Sequence, residues 1–132
     1  MRCFDVPQAQ RLIPLLESAF GELRGWIKRT RDLSRELESC PRGSSKAAAV
    51  ERQREALLTQ IREQLDNLLA LGVEVKSLEG LVDFRAIRSG RPVFLCWQAG
   101  ESQITHWHEL DAGFGGRRQI ADPEEFSPSY LS

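Results

Sequence analysis

The chain has 132 residues, 41% of them hydrophobic and 28% charged, with a formal net charge of −1. It can bury a core of ordinary domain size, and the near-neutral balance gives no sign of a nucleic-acid or membrane-surface protein. Cys3, Cys40 and Cys96 form no C-x-x-C pair, which argues against a secreted disulfide scaffold. No basic-apolar leader opens the chain, and no apolar run approaches about 20 residues. The expected location is the cytoplasm, with no membrane partner.

Phe4-Asp5-Val6-Pro7-Gln8 predicts a helix start. Asp5 is a good N-cap, Gln8 completes a capping box, and Pro7 falls in the first turn, where its missing N–H is not needed. Leu12, Ile13, Leu16, Ala19, Phe20, Leu23, Trp26, Ile27, Leu33 and Leu37 then alternate at three and four, one buried stripe on a helix. Pro14 interrupts it and predicts a local kink. Cys40-Pro41-Arg42-Gly43-Ser44-Ser45 turns the chain. A second helix follows from about Lys46 to Leu71, with a stripe of Ala49 or Val50, Leu57, Leu58, Ile61, Leu65, Leu68 and Leu69 and Gly72 at its C′ position. Each helix should run roughly 40–50 Å at 1.5 Å per residue. The pair forms an antiparallel hairpin of the coiled-coil kind, with more apolar stripe than one partner covers.

After Gly72 the period changes to two. Strands are expected at about 73–76, 81–87, 92–97 and 103–109, joined by turns at Arg88-Ser89-Gly90-Arg91 and Ala99-Gly100-Glu101-Ser102. Such a succession makes an antiparallel meander. Residues 121–132 read as an irregular tail docking through Phe126 and Tyr130.

The polar segment from His106 to Arg118 is the first place to look for chemistry. His106 and His108 are two apart in a strand and so share a face. With Glu109, Asp111, Asp83, Glu101 or Cys96 completing the set, they could reach one divalent metal, although H-x-H is permissive spacing and a hydrogen-bonded sheet face is the plainer account. Gly113, Gly115 and Gly116 allow a loop whose N–H groups, with Arg117 and Arg118, could hold a small anion. A structural turn with paired arginines is the alternative. Asp83 lies in an apolar strand between Val82 and Phe84, so it must be exposed, paired or functional, and pairing with an arginine such as Arg85, Arg117 or Arg118 is the plain expectation. Cys96, between Leu95 and Trp97, reads as a small core residue. Arg24, Lys28, Arg29, Arg31 and Arg35 make a basic face beside Trp26. It could meet nucleic acid, but a solvated helix face with local ion pairs is the cheaper account.

Gly72-Val73-Glu74-Val75, Gly80-Leu81-Val82-Asp83-Phe84, Leu95-Cys96-Trp97, Gly100-Glu101, Trp107-His108-Glu109-Leu110-Asp111 and Gly113-Phe114-Gly115-Gly116-Arg117 together resemble a bacterial family known as a domain of unknown function, family two-two-zero-three. The resemblance covers nearly the whole chain and brings no activity, cofactor or catalytic residue. It implies that Asp83, Cys96, Trp97, Glu101, Trp107, His108, Glu109, Asp111 and Arg117 belong to the family's pattern.

The expectation is therefore an α+β chain forming one domain over 1–132. It comprises a helical hairpin over 1–72, a three- or four-stranded antiparallel sheet over 73–120 and the tail. The leading functional expectation is a self-associating interaction module, a homo-oligomer. The alternative is a small metal- or anion-binding enzyme with a polar site of Asp83, Glu101, His108, Glu109, Asp111 and Arg117, the metal version drawing on His106, His108 and Asp111. Weak nucleic-acid binding is the third expectation.

Overall fold

The computed structural model describes residues 2–130. Two helices, α1 (Val6–Glu38) and α2 (Ser45–Ala70), precede an antiparallel sheet, making an α+β fold. The sheet has β1 (Glu74–Ser77), β2 (Leu81–Arg88), β3 (Arg91–Gln98) and β4 (His106–His108). Two strands of two residues each, β5 (Arg118–Gln119) and β6 (Phe126–Ser127), extend it. The order is β1-β2-β3-β4-β5, with β6 also pairing β2.

The helix ends follow from local chemistry. The Asp5 carboxylate accepts from the Gln8 N–H at 2.8 Å, and Gln8 Oε1 accepts from the Asp5 N–H at 3.0 Å. These reciprocal bonds satisfy donors that the first helical turn leaves free. Helix α1 runs unbroken through Pro14, which is exposed, so the lost hydrogen bond falls on the solvent side. Ser44 caps α2, and Gly72 follows it at φ 88°, the left-handed backbone a helix end calls for.

The stripe of α1 meets one face of the sheet. Ile13, Leu16, Phe20 and Leu23 join Val82, Phe84, Ala86, Val93, Leu95, Trp97 and Trp107 in one core. Phe4 packs edge-on against Phe84 at 5.2 Å, and Phe20 lies 6.1 Å from Trp97. The sheet thus covers much of the stripe that the hairpin alone would leave bare. Helix α2 packs on α1, with Ala47, Val50 and Leu68 buried. The stretch expected to be irregular contributes β6, and Phe126 is buried against Trp107 at 5.8 Å. Tyr130 does not dock: it is 64% exposed.

Strands β2 and β3 are buried on both faces. Side chains alternate along a strand, so the register Phe84↔Leu95 puts those residues against α1 and Asp83↔Cys96 on the opposite face. That second face carries the polar residues. It is screened by the segment between β4 and β5, which includes a single 3-10 turn at Phe114–Gly116.

Candidate functional site

Asp83, Cys96 and His108 come from three neighbouring strands and are 3%, 0% and 2% exposed. Asp83 and Cys96 face each other across β2 and β3. His108 stands opposite Phe94 on β4, its ring 5.5 Å from the phenyl ring. The imidazole reaches across β3, and its Nε2 lies 3.1 Å from Asp83 Oδ1. The other ring nitrogen, Nδ1, lies 2.7 Å from the Glu109 carbonyl oxygen.

These two contacts fix the protonation logic. A carbonyl oxygen only accepts, so Nδ1 carries a hydrogen and donates it. The Nε2···Oδ1 contact then needs one further proton, held by the imidazole or by the carboxyl group. With one proton between them, Asp83 and His108 together carry no net charge, the state in which burial of the pair is tolerable.

Burial pushes the Cys96 thiol from 9.0 up to about 12, with the Asp83 carboxylate adding to the rise and Arg117 opposing it. At neutral pH Cys96 is a thiol, not a thiolate nucleophile. All three cysteines are free.

Beside this centre, Arg117 Nη2 donates to both carboxylate oxygens of Glu101, at 2.8 and 3.0 Å, and to the Cys96 carbonyl at 3.2 Å. Its Nε is buried and has no hydrogen-bond partner among the described residues. Glu101 also accepts from the Gln98 N–H, and its own carbonyl accepts from Trp97 Nε1 at 2.8 Å. The Glu101–Arg117 pair therefore ties the β3–β4 loop to the strand end before β5.

Over Asp83 and His108 lies a cavity of about 160 Å³, lined also by Lys76, Leu81, Phe94, Leu110, Gly113 and Phe114. One cation, Lys76, reaches it, lying 5.1 Å over the Phe94 ring and donating to Glu74 at 2.9 Å. Leu110 and Phe114 are more than 40% exposed and form an apolar rim.

Of the expected site residues, the structure brings Asp83 and His108 into contact and sets Glu101 and Arg117 beside them. Glu109 contributes its carbonyl, while its carboxylate turns away to a two-pronged bond with Arg91 at 3.1 and 3.2 Å. Asp111 is exposed in the turn after β4. The expected metal set of His106, His108 and Asp111 is not assembled. His106 does share the face of His108, but its Nδ1 lies 2.8 Å from the Thr105 hydroxyl. Among the described residues, the group of metal-ligating side chains that does converge is Asp83, Cys96 and His108, their ligand atoms all within 4.8 Å of one another. Cys96, read mainly as a core residue and only as one of several possible partners of the histidines, is a member of this group. Counting outward from the Ser89-Gly90 turn could have found it, because five steps back from Arg88 and five on from Arg91 reach Asp83 and Cys96. The basic residues Arg24, Lys28, Arg29, Arg31 and Arg35 lie on an exposed flank of α1, with Asp32 3.9 Å from Arg35.

A helical hairpin backing a sheet whose far face carries a buried carboxylate–imidazole pair under a small cavity defines the class of protein. The chain belongs to the family described as an uncharacterized conserved protein (DUF2203), which matches residues 2–120 and so takes in every residue of the site. Comparison with curated proteins and with solved structures finds no match. No helix among the described residues is long and apolar enough to cross a membrane.

Proposed function

We propose that the chain is a small-molecule-binding enzyme acting by proton transfer, with Asp83 and His108 as the acid–base pair and the cavity above them as the substrate site. The observation that carries this reading is the buried Nε2···Oδ1 contact at 3.1 Å at the floor of an open cavity. Passing the shared proton to a bound substrate atom and taking it back leaves the total charge of pair and substrate unchanged. The Nδ1–H···O=C bond to Glu109 holds the ring in one orientation while it does so. Lys76 gives the cavity a preference for an anionic group, and Leu81, Phe94, Leu110 and Phe114 suit a small apolar body.

Titration of ¹⁵N-histidine-labelled protein with acetate, benzoate and phosphate tests it. At least one of these anions should shift the His108 ring signals saturably and leave His106 unmoved. A response from neither histidine, or an equal response from both, contradicts the reading.

Self-association through the hairpin is a second reading. It is favoured by a groove of about 380 Å³ between α1 and α2, where Leu15, Ala19, Leu68 and Leu71 alternate with Ser18, Glu22, Gln64 and Asn67. Leu69 on the same helix is 54% exposed, so α2 keeps apolar surface uncovered. Sedimentation should find a dimer at micromolar concentration, and a strict monomer there removes this reading.

A further inference from the structure

We infer that Asp83, Cys96 and His108 form a binding site for one divalent metal ion of the zinc class, with a fourth coordination position open to the cavity. The inference rests on the residues and cavity of the site proposed above; a bound ion would take the place of the proton that Asp83 and His108 share.

The geometry comes first. Ligands held 2.0–2.3 Å from a tetrahedral zinc stand roughly 3.3–3.6 Å from one another. The Asp83 and His108 atoms are already 3.1 Å apart, and all three ligand atoms fall within 4.8 Å of one another. Side-chain shifts of about 1 Å or less would close the set around an ion. All three residues sit on paired strands at the centre of the sheet, which limits how far they can drift.

The surroundings match what a metal-ligating histidine needs. Such a ring donates its second N–H to a carbonyl or carboxylate, which fixes the tautomer and aims the free nitrogen at the ion. His108 Nδ1 does this with the Glu109 carbonyl at 2.7 Å. Arg117 lies on the Cys96 side, where its charge favours a thiolate, and Glu101 neutralises it against the incoming cation.

The charge balance closes as well. A divalent ion with one thiolate, one carboxylate and one neutral imidazole has no net charge, as a dry site requires. In the metal-free chain, the thiol proton and the proton shared by Asp83 and His108 fill the same place. Metal entry displaces both protons to solvent as the metal–sulfur and metal–nitrogen bonds form. One sulfur, one nitrogen and one carboxylate donor suit zinc or cobalt and do not suit magnesium or calcium, which take oxygen ligands in larger number. Asp83 and His108 line the cavity, so the fourth position faces it and can take a water or a substrate atom.

Cobalt(II) titration of the metal-stripped full chain tests the site. One equivalent should bind and give a near-ultraviolet sulfur-to-cobalt charge-transfer band, and zinc should displace it. Cys96→Ala should abolish the band and weaken binding at least about 100-fold. His106→Asn should leave both unchanged. If Cys96→Ala proves unstable, Cys96→Ser, which keeps the volume, should remove the band while circular dichroism stays that of the wild type. Absence of stoichiometric binding, or a spectrum unaltered by loss of Cys96, overturns the inference. An anion response at His108 in the metal-free chain would then leave the proton-transfer site standing, and loss of that response as well would remove both.

Discussion

Cys96 shows how one position in the sheet sets a residue's chemistry. Its thiol is pushed from 9.0 up to about 12 first by burial and then by Asp83. The folded chain holds that proton more tightly than the unfolded chain does. The resulting stability is fully present below pH 9 and is lost as pH rises toward about 12. Urea midpoints should therefore fall across that window in the wild type, and less steeply in Cys96→Ala. In the native state at neutral pH, thiol reagents should modify the half-buried Cys3 and Cys40 and spare Cys96. Asp83 and His108 depend on each other in the same way. Removing either alone leaves the other buried without its partner, at a cost of roughly 3–5 kcal/mol. Asp83→Ala with His108→Ala should cost clearly less than the sum of the single changes in urea unfolding. Strict additivity would mean that the two groups do not share a proton.

The β2–β3 hairpin is the element on which the site depends. Ser89 and Gly90 both have positive φ, 52° and 74°, the two-residue turn whose twist suits antiparallel strands. That turn sets the register that puts Asp83 opposite Cys96. A slip of one residue in either strand would turn that strand's site residue toward α1. Gly90→Ala should cost about 1–2 kcal/mol in the left-handed conformation, lower the thermal midpoint and leave the His108 ring signals in place. The elements themselves were legible: the capping box, the stripe of α1, Gly72 and the change to period two all marked real boundaries. The loop after β4 was not. Three glycines leave many backbone paths open, so nothing local said that Asp111 would face solvent or that the Glu109 carboxylate would turn to Arg91.

At the scale of the molecule, the two faces of the sheet divide the work. One face and α1 supply the apolar core, and the other carries the buried polar centre under the 109–117 segment. Asp83 could be picked out from sequence because a carboxylate amid Val82 and Phe84 demands an explanation. Cys96 could be offered only as one of five possible ligands, because between Leu95 and Trp97 a cysteine also reads as a small core residue. His106 was placed on the correct face by strand alternation, but alternation does not say which neighbour a ring will bond, and Thr105 takes it. Lys76 gave no signal, since exposed-looking lysines are ordinary and only the sheet brings it over Phe94.

The central claim is that His108 holds a shared proton with Asp83 at the floor of a reachable cavity. The chain has two histidines, so ring-nitrogen NMR of ¹⁵N-histidine-labelled protein, assigned with His106→Asn, reads it directly. The account predicts a proton fixed on His108 Nδ1, a strongly hydrogen-bonded Nε2 that changes on loss of Asp83, and a saturable shift on adding a small anion. A His108 ring with a bare Nδ1, unaffected by Asp83→Asn and by all three anions, would contradict it.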